Sequence, residues 1–143
     1  MEKFCRRKIL KLTALSGLVT LLGKNGFAQL LSLTPTPGET QGPFYPLHEQ
    51  RDKDDDLTHF DGHTTSALGP HILVRGQVLD TAGNRIAGAL LDIWQADVNG
   101  RYRHRSDRNP ARLDPNFQGW AMMSSDHNGY FEFKTVMPGA YPA

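Results

Sequence analysis

The sequence predicts one all-β domain, an antiparallel β-sandwich, and three observations predict it. Beyond Pro70, short apolar runs alternate with Gly/Asn/Asp turns at strand spacing. No segment carries the 3.6-residue period of an amphipathic helix. A length of 143 residues with 38% apolar content is enough for one core and too little for two.

The elements follow in order. Residues 1–28 read as an address: Lys3, Arg6, Arg7, Lys8 and Lys11 precede an apolar run from Leu12 to Leu22, and Gly26-Phe27-Ala28 offers small residues for cleavage before Gln29. That apolar run is well short of the roughly 20 residues that span a bilayer, which argues against an anchor and for a chain free of the membrane once cleaved. Arg6-Arg7-Lys8 also has the look of a twin-arginine signal, although Cys5 and Ile9 depart from it. The expected destination is the bacterial periplasm. Residues 29–70 read as an extended arm and loops, since Thr34-Pro35-Thr36-Pro37 excludes helix and Arg51 to Asp56 is a charge run of solvated character.

Residues 71–143 hold the strands. The first is expected over His71–Leu79, followed by a turn at Asp80-Thr81-Ala82-Gly83-Asn84 and a second apolar run over Ala87–Ala96, a spacing that suits a hairpin. Trp120–Ser124 is a third strand, and Tyr130–Lys134 a fourth, with Phe131 and Phe133 on one face and Glu132 and Lys134 on the other. Four strands are fewer than a seven-stranded sandwich has, so the fold reads as lacking strands at its C-terminus.

Composition removes several functions. The sole cysteine, Cys5, lies in the signal segment, which excludes a disulfide framework, a thiolate metal site and a cysteine nucleophile from the body. Six of the sixteen Lys/Arg lie in residues 1–28, leaving ten against fourteen acids behind, so a nucleic-acid partner is not expected. Metal chemistry must use oxygen and nitrogen ligands.

Specific motifs then accumulate: Gly76-Gln77-Val78-Leu79-Asp80, Gly88-Ala89, Asp92-Ile93-Trp94-Gln95-Ala96-Asp97, Gly100-Arg101-Tyr102-Arg103-His104, Leu113-Asp114-Pro115-Asn116-Phe117, Gly129-Tyr130 and Pro138-Gly139-Ala140-Tyr141-Pro142. In this order they resemble the intradiol ring-cleavage dioxygenases, the protocatechuate 3,4-dioxygenase branch above all, over residues 34–143. The resemblance implies a prealbumin-like or immunoglobulin-like sandwich and a non-haem Fe(III) centre that opens catechol-type rings with O2 to muconate-type diacids. By motif, Tyr102 and Tyr141 correspond to the two tyrosine ligands and catalytic residues, with Tyr141 also a base for a catechol proton. Gly42 and Pro43 correspond by analogy to lining of the ring pocket. Phenolate suits ferric iron, because only a strong Lewis acid holds a group of pKa near 10 deprotonated at neutral pH.

The family's two remaining ligands come from a His-x-His pair after an Arg-Pro segment. The six histidines here, at 48, 59, 63, 71, 104 and 127, form no such pair. The resemblance therefore implies a partial or inactive copy, a fragment, or a non-catalytic subunit of a homo- or hetero-oligomer. Arg101, Arg103, Arg105, Arg108 and Arg112 surround Tyr102 and either draw an anionic catechol or pair with Asp107 and Asp114 on a solvated loop. The turn rhythm also resembles non-enzymatic prealbumin-like binding or spacer modules of exported proteins, which have no use for the Trp94-Gln95-Ala96-Asp97 and Tyr102 motifs.

Overall fold

The computed structural model describes residues 32–140; the signal segment with Cys5, and Tyr141, lie outside the described residues. These residues contain four strands and no helix: β1 (His71–Gln77), β2 (Leu90–Trp94), β3 (Trp120–Ser124) and β4 (Tyr130–Val136). The chain divides into two compact units. In the smaller one, the described residues 32–35 and 81–83 are joined by the Leu33 N–H donating to the Thr81 carbonyl at 2.8 Å. The larger unit, residues 36–80 with 84–143, holds all four strands.

The pairing corrects the expected hairpin. β1 pairs antiparallel with β4, and β2 with β3, giving two two-stranded sheets. The turn between β1 and β2 does form: the Asp80 N–H donates to the Asn84 carbonyl at 2.9 Å and Leu79 bridges Arg85. The ladder then ends at Gly88, whose φ of +70° lies in the left-handed region open to glycine. Gly88 donates to the Ser125 carbonyl at 3.0 Å and Ser125 returns a bond to Ala89 at 2.9 Å, which hands the chain to β3 in the other sheet.

Alternation within the strands builds one core from both sheets. Phe133 and Val136 of β4 and Ala121 of β3 are buried with Leu57, Ala67 and Phe117, and Val74, Ile93, Met123 and Phe131 pack against them. Each fully buried Leu or Phe contributes about 1.5–3 kcal/mol relative to exposure. Across the first sheet Gly76 opposes Phe131, and a Cβ on Gly76 would lie 2.3 Å from the Phe131 ring. The ring occupies the space that glycine leaves open.

The charge run is less solvated than its composition implies. Met122 N–H donates to the Lys53 carbonyl at 2.9 Å, Lys134 N–H to the Asp55 carbonyl at 2.7 Å, and Leu57 N–H to the Lys134 carbonyl at 2.9 Å. Residues 53–57 thus form a seam between β3 and β4, and it ends in Leu57, wholly buried in the core. Hydrogen bonding, which a one-dimensional charge pattern does not report, decides this segment's place.

Candidate functional site

The face of the second sheet away from the core is set by the strand period. Asp92 and Trp94 alternate with the core-packed Ile93 on β2, and Trp120 and Met122 alternate with the buried Ala121 and the partly buried Met123 on β3. Here the chain 44–53 lies over the sheet. Tyr45 meets Trp94 edge-on at 5.0 Å and Trp120 at 6.2 Å, and its hydroxyl donates to Asp92 Oδ2 at 2.7 Å. The Trp120 indole N–H donates to Asp92 Oδ1, also at 2.7 Å. Lys53 Nζ sits 4.5 Å over the Trp120 ring and pairs with Glu49. Trp120 is therefore only 6% exposed on a face that points away from the core.

Between this covering segment, the sheet and the loop after β2 lies a cavity of about 330 Å3, lined among others by Phe44, Pro46, Trp94, Tyr102, His104 and Trp120. Tyr102 reaches it because its loop is built on buried carboxylates. Asp97 has no exposed surface; its Oδ1 accepts from the N–H groups of Asn99 (2.8 Å) and Arg101 (3.0 Å), and its Oδ2 from that of Asp114 (2.8 Å). Asp107 Oδ2 accepts the Tyr102 N–H at 2.6 Å, and Phe44 stacks on the Tyr102 ring at 4.8 Å and 30°.

The arginine loop resolves differently from ion pairing. Asp107 and Asp114 accept backbone N–H groups, from Tyr102 and Asn109 and from Leu68 and Asn116. Arg101 donates to the Ala111 carbonyl, and Arg103 to the carbonyls of Asp114 at 3.2 Å and Phe117 at 2.9 Å. Burial of its head group lowers the Arg103 pKa from the ordinary value, opposed by Asp114 and then Asp97, although the residue as a whole keeps substantial exposed surface. Arg105 lines the cavity, while Arg108 and Arg112 are exposed.

Of the residues singled out in the sequence, Tyr102 lies on the cavity wall and Tyr141 is outside the described residues. Two positions before Tyr141, the Gly139 N–H donates to the Asp97 carbonyl at 3.0 Å, on the same turn that leads into Tyr102. Gly42 and Pro43 are exposed and do not line the cavity; Phe44 and Pro46 from the same segment do. Of the histidines, His48 and His104 line the cavity, whereas His59 faces Asp56 at 3.5 Å, His63 tilts against Phe60, and His71 meets the Ala67 carbonyl at 3.0 Å. Asp52, Asp54 and Asp61 bring carboxylate oxygens within 4.8 Å of one another at the surface. Burial, then the neighbouring Asp52, Asp55 and Asp61, raise the Asp54 pKa against a backbone hydrogen bond.

The tyrosines are not equivalent. The hydrogen bond to Asp92, then burial, raise the Tyr45 pKa and keep it a phenol, and Tyr130 is 54% exposed. Among the described tyrosines Tyr102 is the one that lines the cavity. His104 does not complete a metal site there. Its Nδ1 accepts the Ser106 N–H at 3.1 Å, so in that arrangement the proton sits on the buried, unpartnered Nε2, which donates and does not ligate. The cavity lining thus offers the Tyr102 phenol, the Glu49 carboxylate and the His48 imidazole, donors that fit ferric iron in kind, without the family's His-x-His pair.

A cavity walled by aromatic rings and bordered by Tyr102 thus lies on an all-β scaffold, and residues 40–143 match the model of a family described as Dioxygenase. The chain belongs to the intradiol ring-cleavage dioxygenases. It is 40% identical over 100 residues to the protocatechuate 3,4-dioxygenase beta chain of Burkholderia cepacia, covering 70% of this chain and 43% of that one. With catechol 1,2-dioxygenase 1 of Acinetobacter lwoffii it shares 31% over 110 residues, covering 74% and 32%. The dioxygenase domain of a dioxygenase carbohydrate-binding protein fusion from Streptomyces sp. SirexAA-E matches 76% of this chain and 60% of that one, with 29% identity and a TM-score of 0.56. The chain spans less than half the length of the two curated relatives.

Phe44, Pro46, Trp94, Trp120, His104 and Gln118 went unnamed as site residues in the sequence. The tryptophans carried a signal, since each alternates outward on a strand whose next residue packs the core. The others carried none in one dimension.

Proposed function

We propose that the chain is the ring-binding part of a catechol-type intradiol dioxygenase of prealbumin-like sandwich fold, with Tyr102 and Tyr141 as phenolate ligands to ferric iron. The observation that carries this is the placing of Tyr102 in an aromatic cavity whose supporting turn, at Asp97, also receives Gly139 just before Tyr141. When bound, the ion would hold both phenols deprotonated and draw electron density from a catechol ring.

The chain's own residues do the rest. Phe44, Trp94 and Trp120 give flat apolar walls that order a ring and exclude water, and the cationic Arg103 lies beneath with its head group on carbonyls. Tyr45, held as a phenol by Asp92, is kept out of the ligand set. Tyr141 Oη is the base for one catechol proton. A spacer module has no use for a clamped aromatic cavity, which favours the enzyme reading.

The reading extends to export into the periplasm behind residues 1–28 and, since one relative is a beta chain, to assembly with further subunits. The 143-residue polypeptide expressed alone lacks the His-x-His pair, and it is expected to be colourless with ferric iron and to take up no oxygen with catechol. Fusing a family segment bearing Arg-Pro and His-x-His after Pro142 tests the function. A visible tyrosinate-to-iron band and catechol-dependent oxygen uptake are expected, with the band weakened and shifted in Tyr102→Phe and in Tyr141→Phe and abolished when both are replaced. A folded, iron-loaded fusion whose band is unchanged by Tyr102→Phe would overturn the assignment.

A further inference from the structure

An aspartate in the middle of the apolar strand Leu90-Leu91-Asp92-Ile93-Trp94 calls for a reason. Its two oxygens hold two rings that belong to different parts of the chain: the indole of Trp120 on β3 and the phenol of Tyr45 on the covering segment, both at 2.7 Å. The same two rings touch, and Trp94 completes the group. The segment so held continues directly into cavity wall: Phe44 on one side of Tyr45 and Pro46 on the other line it, and Phe44 stacks on Tyr102.

We propose that Asp92 is a positioning residue for the ring cavity, acting as a latch that holds the 44–50 segment shut over a flat aromatic ligand through Tyr45 while fixing the Trp120 wall. This rests on the reading of the cavity as the ring site. The latch touches neither substrate nor metal. Its contribution is to how firmly Phe44 and Pro46, which flank Tyr45, are held as cavity wall, and through them to the rate at which a bound ring escapes.

The chemistry of the latch makes an unusual rescue available. The Trp120 indole can only donate, but the Tyr45 hydroxyl can donate or accept. In Asp92→Asn the amide oxygen can therefore take the indole N–H while the amide NH2 donates to the Tyr45 hydroxyl, so the latch survives the loss of charge. In Asp92→Leu, and in Tyr45→Phe for the covering segment alone, it does not.

The chain has two tryptophans, Trp94 and Trp120, and both line the cavity, so intrinsic fluorescence reads the site directly. Acrylamide quenching of the ligand-free full chain gives the first readout: Tyr45→Phe and Asp92→Leu should raise it, and Asp92→Asn should leave it near wild type. Stopped-flow dissociation of catechol under argon gives the second. Escape should be about five- to tenfold faster in Tyr45→Phe, comparably or more in Asp92→Leu, and within about twofold of wild type in Asp92→Asn, the scale of one lost hydrogen bond. Wild-type quenching and escape rates in Tyr45→Phe would overturn the latch. So would an Asp92→Asn variant as impaired as Asp92→Leu, since that would assign the role to charge. If catechol fails to quench the wild-type tryptophans, the ring-site reading falls, and the acrylamide comparison still decides whether the latch exists. Tyr45→Phe removes only a hydroxyl from a half-buried ring, which keeps the test open should Asp92→Leu not fold.

Discussion

The two sheets contribute to one core, yet their other faces have opposite fates. On the first, Leu73 is 49% exposed, Tyr130 is 54% exposed, and Arg75 pairs with Glu132 across the strands in open solvent. On the second, the equivalent positions carry Asp92, Trp94 and Trp120 under a covering segment. The same alternation thus yields a solvated surface in one case and a cavity in the other. What separates them, among the described residues, is a stretch of chain that lays Tyr45 and Lys53 on one and leaves the other exposed.

The comparison can be broken most severely at the hinge of the covered side. Asp97→Ala would strip three backbone N–H groups of a fully buried acceptor. A loss of about 3–5 kcal/mol in denaturant unfolding is expected, with the Tyr102 loop released. On the inner face of the first sheet, Gly76→Ala would drive a methyl group into the Phe131 ring. About 1–3 kcal/mol in the same assay is expected, and a neutral result would mean that the ring moves freely.

Smaller again is a pH effect at the seam. Burial raises the Asp56 pKa, but hydrogen bonds from Thr58 and Lys134 outweigh it, so the folded-state value lies below the ordinary one. A lowered folded pKa means that this stabilisation is present above about pH 4 and is lost as pH falls through the lowered value. Replacing Asp56 with Asn should flatten that part of the stability profile, read by thermal unfolding across pH 2.5–5 (roughly the range of carboxylate titration). The least effect belongs to the open face: Arg75→Ala should cost under about 1 kcal/mol, and less at high salt, because the pair with Glu132 is exposed.

Much of this contrast was legible in the sequence. Trp120–Ser124 has the bounds expected of it, and β4 starts at Tyr130 with Phe131 and Phe133 inward. Pairing was not legible, because a turn followed by an apolar run fits a hairpin and a crossover equally until Gly88 takes its positive φ. Nor was the covering segment, whose order comes from contacts with strands 47 and 69 residues away, as in Tyr45 to Asp92 and Lys53 to Met122. Leu57 escaped notice for the same reason, being flanked by charge in sequence and by core in space. Gly42 and Pro43, named by analogy, are exposed, and their neighbours Phe44 and Pro46 line the cavity.

The seam at residues 53–57 also constrains the order of assembly. Asp56 receives Lys134 across 78 positions, and the main-chain bonds around it join residues 55–57 to β4. Contacts so distant along the chain slow the search for the native state, since a large loop must close before any bond forms. Until β4 has been made the seam cannot zip, and the apolar strands wait in company that invites clumping. Folding of this unit is thus expected to be slow on the scale of small domains, with the arrival of β4 as its trigger.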